Sequence, residues 1–273
     1  MGSEPKHPTA EEKAARKAAK VGELRDRLRG DYDVLNLKLA RGGDFRDGED
    51  MMDELWLCRW LRARNWSVDK AEECVRAHAA WREEFMPRGR VLETEIPNEL
   101  AAEKMFLQGV DVNGRGVLVF LAKNHWAWTR YIEELERSAV YCIDALISAA
   151  DPALNPDRTM TFVFDLTDFG VSNVDLTAMV KLFHIINNHF VERLGRCFIY
   201  NAGSVFENSW KLFSPMLDEI TLKKISFLGL RQWGVLHAEV PREVLPEHLG
   251  GTGRLVPVSE AVAKRRLRQT SFS

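Results

Sequence analysis

An α/β fold, with a mostly parallel sheet flanked by helices and preceded by an N-terminal helical subdomain, is what the sequence predicts, on three observations. Short, almost wholly apolar runs recur between residues 115 and 228, as in strands buried on both faces. Stretches of helical periodicity long enough for crossover connections separate them. A pair of amphipathic helical patterns comes before the first run. With 273 residues and 45% hydrophobic content, the chain can bury a sizeable core.

The elements follow in order. Residues 1–50 are charge-rich and end in Arg41-Gly-Gly-Asp-Phe-Arg-Asp-Gly-Glu-Asp50, which reads as loop or linker contributing little core. From Met51, Leu57, Trp60 and Leu61 share one helical face while Arg59, Arg62 and Arg64 take others, and this helix ends near Asn65. Ser67 can cap the next helix, where Ala71, Cys74, Val75, His78, Trp81 and Phe85 keep helical spacing until Met86-Pro87 stops it. Strands are predicted at Arg115–Ala122, Thr159–Leu166, Arg196–Asn201 and Lys224–Leu228, and helices at Tyr131–Ala149, Asp175–Leu194 and Phe206–Ile220. The tail Ala263–Ser273 is basic and reads as a flexible extension. The domain organisation is therefore a charged segment over 1–50, a helical subdomain over 51–90, the main domain over 91–254 and a basic tail over 255–273.

Several function classes have no support. Lys and Arg number 38 against 40 Asp and Glu, a formal charge of −2, so no chain-wide basic field argues for nucleic acid. Cys58, Cys74, Cys142 and Cys197 form no C-x-x-C pair, which suits a reducing cytosol better than a disulfide scaffold or zinc ribbon. Neither a secretory h-region nor a spanning apolar run is visible, so a cytoplasmic protein is expected. The phosphate-cradling G-x-G-x-x-G and G-x-x-x-x-G-K-[ST] patterns and the G-x-S-x-G elbow are missing. His184 and His189 stand five apart, splayed too far for a zinc pair. Asp165 and Asp168, near a strand's carboxyl end, read as local backbone acceptors in a D-L-T-D turn rather than catalytic acids. No catalytic residue, metal or cofactor is assigned, and an enzyme is not expected.

What remains is apolar surface beside isolated charges. In 206–220, Phe206, Trp210, Phe213 and Leu217 form one stripe and Leu212, Met216 and Ile220 another, so the helix is apolar around much of its girth, with Pro215 placed to bend it. Such a helix is either a doubly covered core element or a lid over a hydrophobic ligand that can also face a bilayer. Glu192 falls in the last turn of the predicted helix before Gly195, where the dipole prefers cations; Lys223 and Lys224 open the last strand, and Arg64 closes the first helix of the hairpin.

The run Leu57-Cys-Arg-Trp-Leu-Arg-Ala-Arg-Asn-Trp-Ser-Val-Asp-Lys-Ala71, continuing to Trp81-Arg-Glu-Glu-Phe85, resembles the N-terminal helical motif of CRAL-TRIO lipid-transfer proteins of the phosphatidylinositol-transfer type. Phe164-Asp-Leu-Thr-Asp-Phe-Gly170, Phe190-Val-Glu-Arg-Leu-Gly-Arg-Cys-Phe-Ile-Tyr-Asn201, Phe213-Ser-Pro-Met-Leu-Asp218, Thr221-Leu-Lys-Lys-Ile225 and Leu245-Pro-Glu-His-Leu-Gly-Gly251 follow in the order of that family's lipid-binding domain. The resemblance covers residues 51–251 and rests on several ordered motifs.

It implies an apolar cavity between the sheet and mobile helices, holding one lipid, with Phe206–Ile220 as gate and Leu118 and Phe162 in its lining. Members that bind phosphatidylinositol hold the headgroup by an arginine, a glutamate and a lysine, which fall here on Arg64, Glu192 and Lys224. Leu118 stands where phosphatidylcholine-exchanging members place a tyrosine, and Met160 and Phe162 where they place hydroxyls, which argues against a choline lipid and leaves a sterol, a squalene-like molecule or another apolar guest as a second ligand. Hiding a chain of about sixteen carbons from water is worth about 12 kcal/mol, so a carrier must offer a cavity before the lipid meets solvent. The expected ligand is one lipid, phosphatidylinositol or a phosphoinositide, and the expected partners are a phospholipid or other hydrophobic ligand and, transiently, a membrane surface. Arg193, Arg196, Lys223 and the tail's Lys264, Arg265, Arg266 and Arg268 are candidate contacts with anionic lipid, each worth about 1 kcal/mol near the surface. Ser271 follows arginines as in a basophilic kinase site, where phosphate would offset that charge. A lipid-sensing or protein-interaction module of the same fold, without bulk transfer, is the alternative.

Overall fold

A computed structural model describes residues 9–41 and 50–270 of the chain, so the glycines of the predicted linker at 42–49 and the candidate site Ser271 lie outside the described residues. The chain divides into two compact units, 1–90 and 91–273.

In the first unit, Thr9 and Glu12 cap α1 (Ala10–Arg29) reciprocally, each side chain accepting the other's backbone N–H at 3.2 and 2.8 Å. The helices α2 (Tyr32–Arg41), α3 (Glu54–Ala63) and α4 (Val68–Phe85) complete the bundle. Residues 10–41 are not a solvated preamble: Val21, Leu24, Leu28, Leu35 and Leu39 recur at three- to seven-residue intervals and are buried. One smaller expectation also changes: Ser67 takes the N-cap position of α4 without a side-chain capping bond. Arg59, off the apolar face of α3, is only 5% exposed. Trp60 links α3 to α4 through the ring of His78, 4.9 Å away.

The second unit runs α5 (Pro97–Ala101), β1 (Met105–Val110), β2 (Gly116–Leu121), α6 (Ile132–Ala149), β3 (Met160–Asp165), α7 (Leu176–His189), β4 (Leu194–Tyr200), α8 (Ser204–Phe213), α9 (Glu219–Lys223), β5 (Ile225–Leu228), α10 (Gly234–Glu239) and α11 (Val258–Thr270). The sheet order is β1-β2-β3-β4-β5, antiparallel only at β1. This is the α/β, mostly parallel architecture that the apolar runs and crossovers predict. At Gly116 a Cβ would stand 2.6 Å from the Leu146 carbonyl, so glycine lets α6 pass directly over the start of β2.

Four features depart from the sequence reading. Strand β1 was not predicted; Gln108 breaks its apolar run, yet its amide donates to the carbonyls of Val244 and Arg254 and accepts from Val256 N–H, so the polar group is satisfied by residues far along the chain. Helix α7 stops at His189, five residues before the predicted end. The helix predicted over 206–220 starts at Ser204 and breaks at Pro215 into α8, a 3₁₀ turn at Ser214–Met216 and the separate α9. The tail continues to Thr270 as helix α11 rather than a flexible extension, and Arg266 is fixed to Glu93 at 2.8 Å, which also accepts the Tyr141 hydroxyl proton.

Candidate functional site

Alternate residues of the same strands build two different surfaces. On one face Val117, Val119, Leu121, Val163, Phe198 and Tyr200 pack under Leu236, Val240, Leu245 and Leu249, and all are buried. On the other, register aligns Leu118 with Phe162 and Cys197, and Phe120 with Phe164 and Ile199, with Ile225 and Phe227 beyond them on β5. Phe120, Phe162 and Phe164 sit mid-sheet and Ile225 on the edge strand β5, and all four remain partly accessible there although α8 lies over them. The roof touches this floor, and those four side chains keep part of their surface accessible beneath it.

That roof is the helix for which the sequence left open a core role or a lid. Phe206 meets Phe169 edge-on at 6.1 Å, Trp210 meets Phe227 at 5.3 Å, and Phe213 meets Phe183 of α7 at 5.4 Å. The two apolar stripes separate cleanly. Phe206, Trp210, Phe213 and Leu217 are partly buried, whereas Leu212, Met216 and Ile220 are 67%, 44% and 65% exposed. Nine aromatic rings thus gather on this face and its cover, and Phe120, Phe164, Phe169, Phe183 and Phe227 were not singled out from sequence. The alternation through β2 and β3 is the signal that finds the first two.

The predicted headgroup residues fall in two places. Arg64 belongs to the first unit, at the C-cap of α3, where its Nε lies 2.9 Å from Cys74 Sγ. Glu192 and Lys224 belong to the second. Glu192 is in the turn after α7, not in its last turn, with left-handed backbone at φ 57°, a conformation that costs a non-glycine residue about 1–2 kcal/mol. Lys224 closes α9, and its carbonyl accepts the Cys197 N–H at 2.9 Å. Glu192 therefore precedes β4 and Lys224 precedes β5, at the same amino-terminal edge of two paired parallel strands. Both are partly buried.

Two predicted membrane-surface cations are corrected. Arg193 is 4% exposed and donates to the Asp157 and Arg158 carbonyls, because a guanidinium inside the fold must find acceptors. Arg196 is engaged by Glu239 at 2.7 Å and lies over the Phe198 ring at 5.2 Å. Lys223 is exposed.

Other titratable groups serve the scaffold. Asp165 is buried, which pushes its carboxyl up, but hydrogen bonds from His248 and Thr167 outweigh burial and hold it below the usual range. Asp168 is exposed and pairs with Lys123, and His184 with Asn188. Burial pushes the Cys197 thiol up to about 12, so this sulfur on the aromatic floor is inert while covered. Among the described residues no group of three or more His, Cys, Asp or Glu could hold a metal, and no helix is long and apolar enough to cross a membrane.

Comparison with known proteins gives a consistent picture. The model of the CRAL/TRIO domain matches residues 100–251. A CRAL-TRIO domain-containing protein of Schizosaccharomyces pombe is 29% identical over 179 residues, covering 63% of this chain and 40% of that protein. The phosphatidylinositol transfer protein CSR1 of Eremothecium gossypii is 27% identical over 228 residues, covering 75% and 51%. The chain thus spans about half or less of these two relatives, but it covers 84% of the Sec14 cytosolic factor of Schizosaccharomyces pombe, at 25% identity over 244 residues. In fold it is similar to the crystal structure of Sfh5, with a TM-score of 0.61 over 93% of this chain and 98% of that one at 15% identity.

Proposed function

The chain belongs to the CRAL/TRIO domain family, and from that premise we propose that it carries one lipid above the Phe162–Phe164 floor and exchanges it at membranes by movement of α8. The observation that carries the reading is the difference between the sheet's faces: one is filled, while the other keeps accessible aromatic surface beneath a helix. A cavity lined by Phe120, Phe162, Phe164 and Phe206 offers acyl chains an apolar path, so desorption need not pass through water. The break at Pro215 separates α8 from α9, and this gives the lid a place to swing.

Phosphatidylinositol is the proposed polar-headed ligand. Lys224 meets its phosphate, and Glu192 accepts from inositol hydroxyls, an arrangement that favours this lipid over one whose head leaves those charges poorly paired. The name of the relative CSR1 points to the same lipid.

Mass spectrometry of lipid extracted from the purified protein, with a vesicle-to-vesicle transfer assay, tests the reading. A bound phospholipid and measurable transfer are expected. With Lys224→Glu, loading of phosphatidylinositol should be lost while an apolar guest is still retained. Protein that carries no lipid and moves none would overturn the proposal.

A further inference from the structure

The loop between β2 and α6 exposes its aromatics to an unusual degree. Trp128 is 86% exposed, Trp126 53% and Tyr131 64%, and the adjoining segment before α7 adds Val171 at 77% and Leu176 at 45%. Apolar surface of this extent on a monomer marks a contact site. The backbone beneath it is firmly held. Asn173, 6% exposed, accepts from Gly170 N–H at 2.7 Å and donates to the carbonyls of Lys123 and His125 at 3.2 and 2.8 Å, and Ala127 N–H reaches the Ser172 carbonyl. Arg130 grips Asp175, the residue that caps α7, at 2.5 and 2.9 Å, and His125 reaches the same carboxylate from below at 3.3 Å. Rigid support thus presents large aromatics that none of the described residues covers.

We propose that this paired loop is a bilayer-docking surface, an anchor distinct from the lid itself. The inference rests on the lipid-carrier reading. Continuity selects the occupant: Val171 lies two residues from Phe169, whose ring touches Phe206 of α8, so the aromatic patch borders the edge from which the lid would open. Val180 continues the exposed surface along α7 towards Phe183, which touches Phe213 at the lid's far end. Indole and phenol rings join an apolar body to a polar tip, the chemistry that settles at the boundary between headgroups and acyl chains. The local cations are already matched, Lys123 by Asp168 and Arg130 by Asp175, so the attraction is apolar and needs no anionic lipid.

The test uses the full chain and sucrose-loaded vesicles of phosphatidylcholine alone. A double variant, Trp126→Ser with Trp128→Ser, should sediment with vesicles about tenfold less than the parent. It should also lose part of the tryptophan quenching caused by brominated acyl chains. Leu154→Ser, an exposed apolar change at the opposite edge of the sheet, should bind as the parent does. Lipid extracted from the double variant should equal that from the parent, which shows the fold and cavity intact. Equal sedimentation of double variant and parent, or an effect confined to association with a protein or a second copy, overturns the docking proposal. A parent that carries no lipid overturns the carrier reading instead, and the vesicle comparison still decides the docking surface.

Discussion

The two faces of one sheet are made from neighbouring residues of the same strands, yet they behave as different materials. Val163 and Phe198, at 0% exposure, sit in a solid core, while Phe162 and Phe164, one step along the same strand as Val163, look into accessible space. Strand propensity and apolar character are alike on both sides, so the strands do not cause the difference. It comes from what covers them: α10 and the 245–249 turn interdigitate with one face, whereas α8 bridges the other on a few aromatic contacts. Filling stabilises the fold, and incomplete filling leaves room for a ligand.

Truncations give the largest expected effects and test that contrast directly. Phe198→Ala should cost about 3–5 kcal/mol of unfolding free energy, since a closed core cannot collapse into the vacancy. Phe164→Ala should cost only about 1 kcal/mol, because part of that ring is already outside close packing. Urea unfolding of lipid-stripped protein measures both, and equal losses would mean that the faces are packed alike.

A second comparison uses cysteines as reporters. Cys197 lies on the aromatic floor, whereas Cys142 lies on α6 with its sulfur 3.0 Å from that of Met105. Burial raises both thiols far above their ordinary value. Opening of the lid on vesicles should speed alkylation of Cys197 severalfold and leave Cys142 slow, as followed by peptide mass spectrometry. Equal acceleration would indicate general loosening and not movement of α8.

The smallest effect concerns the polar support at the rim. Burial, followed by the Lys104 ammonium 3.1 Å away, holds the His125 imidazole below its ordinary value, with Asp175 pulling the other way. A base depressed in the fold takes up its proton first in the unfolded chain. Its stabilising contribution is whole above about pH 6.5 and declines as pH falls from there through the folded value. The parent's urea midpoint should therefore drop as pH falls from about 7 to about 5, and His125→Gln should flatten that slope.

How far the sequence carried this reading follows from where each signal is stored. Periodicity located β2, β3, β4, β5 and helices α3, α4, α6, α7 and α8 because one short stretch holds the whole pattern. It identified the two stripes of α8, and only the fold could say that Phe206 and Trp210 turn inward while Leu212 and Met216 face out. Strand β1 escaped because Gln108 is satisfied by carbonyls more than 130 residues away. Helices α1 and α2 were overlooked although Val21, Leu24 and Leu28 carry the spacing, their few apolar residues being diluted by charge. Arg193 looked like a surface cation because sequence does not reveal the Asp157 and Arg158 carbonyls that surround it.

The borders of the sheet carry a last consequence. At β1, Phe106 bridges to Pro257 and Leu107 N–H is taken by the Val256 carbonyl, so a returning segment seals that side. At the other side β5 is only four residues long. A protein whose aromatic interior is uncovered in each working cycle runs the hazard of sticking to its own kind. Here neither margin offers a neighbour a long unpaired template, so lid movement of the proposed kind would not present one to a second molecule.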